Sequence, residues 1–335
     1  MKALPLISRL SRWLLPLIAL LVIAQAGRSY IGQVWNGPGP LSQNTAFVVP
    51  HGRTEIVGRA LRGAGIIDGV LAFRVAENLT DDDGALHAGE FAFPAHASLA
   101  DVFRILRHGK QVEHHLTIPE GLTAQGIAAL INQAPAMTGQ VKVASEGAIL
   151  PNTYDYLYGT PRTLLLKRAE RALDVALAAA WPNRAANLPL SSPEDAVTLA
   201  SIVERETAKP DERPMVAAVY LNRLRLGMKL QADPTVIFGL SGGLGTMDRP
   251  LAHADLLTPS AYNTYLNTGL PPGPIAAPGI AAILAVLHPA DTDALYFVAD
   301  GSGGHVFSHS YKDQVRNVAR LRALDADRQD AVERN

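Results

Sequence analysis

The sequence has no cysteine. That excludes a disulfide framework and any cysteine-rich zinc site. Charge is also scarce: Asp, Glu, Lys and Arg make up 18% of the chain, below the usual quarter, and the formal net charge is −1. Nothing in that balance points to nucleic acid, which would want a basic face. No internal repeat or low-complexity tract runs through the chain, and its ten histidines show no metal-ligand spacing. What the sequence does have is apolar residues, 48% of its 335 positions, enough for a sizeable core in two or three modest domains.

The longest apolar run lies at the N-terminus, Trp13 to Ala24, preceded by Lys2, Arg9 and Arg12. Fifteen residues separate Arg12 from Arg28, short of the roughly 20 that cross a bilayer. Both arginines can snorkel, which lengthens the usable helix to about 20 residues, and Trp13 suits the interface. The favoured reading is an uncleaved anchor with a cytoplasmic tip. A cleaved signal peptide is the alternative, because Ala24-Gln25-Ala26 fits the small-x-small cleavage pattern. Residues 30–45, rich in Gly, Pro, Asn and Ser, read as a linker.

Beyond it the pattern is mixed. Phe47 to Pro50 reads as a strand and Thr54 to Leu61 as a helix. Glu90 to Phe93 alternates as a strand, and Ser98 caps a helix with apolar Leu99, Val102, Phe103 and Leu106. These suit a small α+β module of about 70 residues. After Ile118-Pro119-Glu120-Gly121 come a helix from Thr123, an ordered loop over 145–160 and an amphipathic helix from Leu164 to Trp181. A hairpin follows near the C-terminus, Ala294 to Ala299 returning through His305 to Ser308. Its glycine turn lacks the strand-to-helix setting of a phosphate loop, which excludes a nucleotide site there.

Chemistry concentrates after Ser192-Pro193-Glu194-Asp195, a strong helix start. Leu199, Ile202, Val203 and Glu206 fall at i, i+3, i+4 and i+7, so Glu206 ends the apolar face; Glu204 is about 200° round the helix from it. A carboxyl on an apolar face is desolvated, its pKa rises, and it can donate a proton to a glycosidic oxygen. On residue physics alone, a surface ion pair with Arg205 or Arg213 is the commoner fate of such a glutamate, and the choice stays open at this point. Gln231, polar among apolar neighbours, needs partners. Tyr262-Asn263-Thr264-Tyr265 and Gly269 to Ile275 read as a rigid loop whose aromatic and amide groups suit sugars or, equally, loop packing.

The ordered set Ser201 to Thr207, Leu221-Asn222-Arg223-Leu224, Leu230 to Ile237, Tyr262 to Tyr265, Gly269 to Ile275 and Phe297 to His305 resembles the endolytic murein transglycosylases of the YceG-like (MltG) family. Ile118 to Gly121 and the Glu146 to Tyr154 loop match too, although Asn152 stands where many relatives carry an acid. The resemblance implies an α+β protein with a transmembrane anchor over 1–29, a linker over 30–45, a LysM-like subdomain over 46–112, a mixed α/β catalytic domain over 113–320 and a tail over 321–335. It implies a bacterial inner-membrane location with the catalytic domain outside the cytoplasm. The implied activity is cleavage within peptidoglycan strands to leave 1,6-anhydro-muramyl ends, with no metal or cofactor. In other lytic transglycosylases the catalytic Glu precedes Ser or Thr, which gives Glu206 that role. Gln231, Tyr262, Asn263 and Tyr265 become the expected sugar-holding residues, and peptidoglycan synthases become candidate partners. Two alternatives stand: a non-catalytic wall-binding scaffold, and a hydrolase that uses Asp233 as a second carboxylate.

Overall fold

The computed structural model describes residues 6–142 and 144–333. It shows an α+β chain that divides into two compact units. One reaches to His114 and takes in Leu157–Gly159; the other holds His115–Tyr156 and the chain from Thr160 on. The first five residues of the cytoplasmic tip expected from the sequence lie outside the described residues.

In the first unit, α1 (Leu6–Asn36) is a single 31-residue helix. Among the described residues one helix is long and apolar enough to cross a membrane, and its span is Pro16–Asn36. The helix therefore runs on through positions 30–36, where the sequence suggests linker. The physical reason is packing: Trp35 lies 5.6 Å from the ring of Phe103 on the later helix α4 (Leu99–His108), which fixes the last turn. Gly37 stops the helix, its N–H bonding back to the Gln33 carbonyl at 2.8 Å.

The rest of the unit runs β1 (Thr45–Val49), α2 (Thr54–Gly63), α3 (Val70–Leu79), β2 (Gly89–Phe93) and α4. The two strands pair antiparallel, with Phe47 opposite Phe91. The segment Val70 to Val75, without clear period in the sequence, is the start of α3. Phe73 stacks on Phe103 at 4.8 Å, and both are buried with Leu61, Phe91, Phe93 and Leu106. Ser98 caps α4 as expected: its Oγ accepts from the Asp101 N–H, and its own N–H donates to the Asp101 carboxylate.

The second unit holds two cores. In the first, β3 (Glu113–Thr117), in this unit from His115 on, pairs with β4 (Thr153–Leu157), in it up to Tyr156, and α5 (Ala124–Gln133) and α6 (Arg162–Ala180) bury Ile127, Ile131 and Leu165 against Tyr154 and Tyr156. Strand β4 lies inside the span expected to be loop. The alternation of Tyr154 and Tyr156, both buried, with exposed Thr153, Asp155 and Leu157 accounts for it.

The second core gathers α7 (Pro193–Glu206), α8 (Arg213–Arg225), α9 (Asp233–Leu240) and α10 (Ile280–Leu287). Helix α7 packs on α8 and α10, and every residue from Ala196 to Val203 is buried. A helix so enclosed needs its polar groups satisfied locally. Ser201 Oγ donates to the Thr198 carbonyl and accepts from the Ile275 N–H. The hairpin of β5 (Tyr296–Ala299) and β6 (His305–Ser308) forms as expected, and α11 (Tyr311–Glu333) ends the described chain.

Candidate active site

Helix α7 is closed by sequence at both ends. Ser192 caps its first turn, Pro193 takes the first helical position, and the chain leaves helical geometry at Thr207, before Pro210. Glu204 and Glu206 therefore sit in the last turn, and their positions round the helix send them to different surroundings.

Glu204 turns into an ion pair. Its Oε1 accepts from Arg213 Nη2 at 2.7 Å, and its Oε2 accepts from the Gly279 N–H at 2.9 Å. Both side chains are nearly sealed, 5% and 10% exposed. The pairing with Arg213 is one of those expected from the sequence, but the solvated surface is not: the pair is internal. The fit at Gly279 is close, since a Cβ there would lie 1.8 Å from the Glu120 carboxylate. Arg205, by contrast, donates to the carbonyls of Gly121 and Gly245.

Glu206 is partly buried and has no ion-pair partner among the described residues. Its Oε1 accepts from the hydroxyl of Tyr220, on α8, at 2.6 Å. Desolvation pushes the carboxyl up to about 7. The Tyr220 bond opposes that rise, the Asp233 carboxylate adds to it, and Arg223 opposes it from further off. An acid poised near neutrality can both give and take a proton at working pH.

The surrounding groups form one electrostatic set. Arg223 is buried; its Nε donates to the Leu295 carbonyl, and its Nη1 donates to the Leu230 carbonyl and the Gln231 Oε1. Gln231 is exposed and stands in the left-handed region at φ 54°, a strained position for a residue with a Cβ. Tyr265 donates its hydroxyl to Asp233 at 2.5 Å, and burial raises its pKa further above the phenol range. Glu206, Asp233, Arg223 and Tyr265 thus share one field, with Gln231 tied to it through Arg223.

Two of the expected sugar-holding residues are placed differently. Asn263 is fully buried; its Nδ2 donates to the carbonyls of Leu256 and Thr258, and its Oδ1 accepts from the Tyr265 N–H. Its amide is spent on folding the loop that presents Tyr265. Asn263→Ala should therefore lower stability by roughly 2 kcal/mol, read as a drop in thermal midpoint. An unchanged midpoint would mean that these bonds do not hold the loop. Tyr262 is partly buried, with its ring against Phe238 at 4.8 Å. Tyr220 and Arg223 are absent from the sequence-derived set. Tyr220 looks like one more member of the apolar stripe of α8, and its meeting with Glu206 depends on how two helices pack.

A single poised carboxyl, desolvated at a helix end and held by a neutral hydroxyl, is the arrangement of a general acid–base centre. Residues 47–320 match the profile of the YceG-like family, and the chain belongs to that family. It is similar to the endolytic murein transglycosylase of Streptococcus pneumoniae serotype 2 (strain D39), 28% identical over 323 residues that cover 81% of this chain and 57% of that protein. The Bacillus subtilis (strain 168) protein of the same name is 43% identical over 117 residues, 35% of this chain and 31% of its own length. The chain thus spans little more than half of the first relative and under a third of the second. Among solved structures, the yceG-like protein lmo1499 of Listeria monocytogenes matches with a TM-score of 0.52 and 26% identity, covering 82% of this chain and 98% of that one.

Proposed function

We propose that this chain is a lytic transglycosylase that cuts within peptidoglycan glycan strands, with Glu206 as its only catalytic acid and base. One observation carries the reading: Glu206 is desolvated to a pKa of about 7 and bonded only to a neutral hydroxyl among the described residues. Protonated Glu206 gives its proton to the oxygen that bridges muramic acid C1 and glucosamine. The C1–O bond breaks through an oxocarbenium-like state, which the substrate's own acetamido oxygen stabilises. The carboxylate then takes the proton of the muramic acid 6-hydroxyl as that oxygen bonds to C1. The proton count closes, no water is consumed, and the product ends in a 1,6-anhydro ring.

Gln231, Tyr262 and Tyr265 are the residues we assign to holding sugars, Tyr265 with its hydroxyl set by Asp233. The first unit's order of strand, two helices and strand supports a LysM-like subdomain that binds the same polymer. Helix α1 is the proposed single-pass anchor in the cytoplasmic membrane, and peptidoglycan synthases are the proposed partners.

The full chain, purified in detergent and incubated with isolated glycan strands, should release muropeptides lighter by one water than hydrolysis products, as read by mass spectrometry. Reducing ends alone would make the chain a hydrolase and bring Asp233 forward as a second carboxylate. No cleavage at all would favour the wall-binding scaffold.

A further inference from the structure

Resting on that reading, we infer that Tyr220 is a positioning residue that fixes which oxygen of Glu206 carries the working proton. Tyr220 is 2% exposed, so its hydroxyl has lost its contact with water. A buried phenol needs a partner, and the partner it has is Glu206 Oε1 at 2.6 Å. The ring is held from the side by Phe297, edge-on at 5.8 Å, and Phe297 is in turn flanked by Phe307 and His305. The hydroxyl therefore has little room to turn elsewhere.

An oxygen that accepts a strong bond from a fixed donor is a poor site for the carboxyl's own hydrogen. The proton settles on Oε2, and only Oε2 is free to meet the sugar. After transfer, the same bond stabilises the carboxylate until it recovers a proton from the 6-hydroxyl. Both half-reactions then run through one oxygen.

The charge type of the donor decides whether this works. An arginine in contact would hold the carboxylate ionised, with a pKa well down the acid range, and the acid step would fail. A phenol is neutral and favours the carboxylate only mildly. Arg223 is the available cation, and its Nε and Nη1 are committed to the carbonyls of Leu295 and Leu230 and to Gln231. The charged or titratable groups that act on Glu206 are Tyr220 and Arg223 from α8 and Asp233 from α9; Tyr265 in the following loop feels the Glu206 charge in turn.

Tyr220→Phe keeps the ring and removes the bond. In the full chain, the loss of kcat/KM at high pH follows deprotonation of Glu206. Without the Tyr220 bond that limb should move up by about half a unit to one unit. At low pH, where Glu206 is protonated in both proteins, kcat should still fall roughly tenfold, because the proton is no longer held on one oxygen. A merely structural tyrosine would lower the amount of folded enzyme and leave the limb in place. An unmoved limb with kcat within twofold of wild type overturns the proposal. If Tyr220→Phe fails to fold, 3-fluorotyrosine at position 220 keeps the shape and strengthens the donor. The limb should then move down, and an unmoved limb again overturns the inference. Wild-type activity in Glu206→Gln would defeat the catalytic reading itself, whatever Tyr220 does.

Discussion

Replacing Glu206 by Gln is expected to cut cleavage of glycan strands at least about a hundredfold while the protein remains folded. Gln matches Glu in size and can still accept from Tyr220, but it has no proton to transfer. General acid–base assistance is worth roughly 3–5 kcal/mol of barrier, which sets the scale. The variant should also be the more stable protein above neutrality. The folded carboxyl titrates at about 7, whereas an unfolded glutamate titrates near about 4.3. Between those values the native state binds more protons than the unfolded chain, so stability falls as pH rises. The stabilising share of Glu206 is complete below the lower value and lost as pH passes the upper one. Gln does not titrate and escapes that loss. Thermal melts of the two proteins should coincide near about pH 4 and separate above neutrality, with Gln higher. A variant that stays active, or that melts lower at high pH, would remove Glu206 from the centre of the chemistry.

Glu204→Gln should do the reverse: keep most activity per folded molecule and lose stability. The Arg213 guanidinium would remain in a site that is 10% exposed, with its nearest full charge withdrawn. Its Nε already lacks a partner, and Glu120 at 3.3 Å is the remaining carboxylate, itself 42% exposed. Breaking a buried pair from one side costs roughly 3 kcal/mol, or about 6–12 °C of melting temperature at this size. Differential scanning calorimetry on both single variants separates the two carboxylates. Equal melting of wild type and Glu204→Gln would mean that Glu204 and Arg213 contribute nothing to the fold as a pair.

The sequence could show what is written within one turn or one strand. Ser98 and Ser192 cap their helices as their neighbours suggest, because caps are local. Glu206 lies at the end of the apolar face that the i, i+3, i+4, i+7 spacing marks. The hairpin from Tyr296 to Ser308 is legible for the same reason, its turn being a run of Gly, Ser and Asp. What was hidden depends on partners far along the chain. Strand β4 has its hydrogen-bonding neighbours 36 to 40 residues earlier, as Thr117 with Thr153 and His115 with Asp155 show. Tyr220 reads as an apolar residue until α7 and α8 are packed. The bonds from Asn263 to the carbonyls of Leu256 and Thr258 are visible only once the loop is folded. The end of α1 was hidden because Gly32, Gln33 and Asn36 look like linker, and the Phe103 ring that holds Trp35 is far away in sequence.

Helix α7 carries a constraint on length rather than on composition. The two carboxylates of its last turn, Glu204 and Glu206, have one residue between them, and each meets its partner only at its own angle round the axis. One residue inserted between Pro193 and Val203 would turn both by about 100°. Glu206 would swing away from Tyr220 and Glu204 away from Arg213 in the same event. Neither end has slack to absorb the change, with Ser192 bonded into the first turn and Thr207 tied to Glu212 just beyond the last. Over evolutionary time this segment can exchange one apolar side chain for another of similar volume, whereas a single-codon insertion or deletion would break the Tyr220–Glu206 bond and a buried ion pair together.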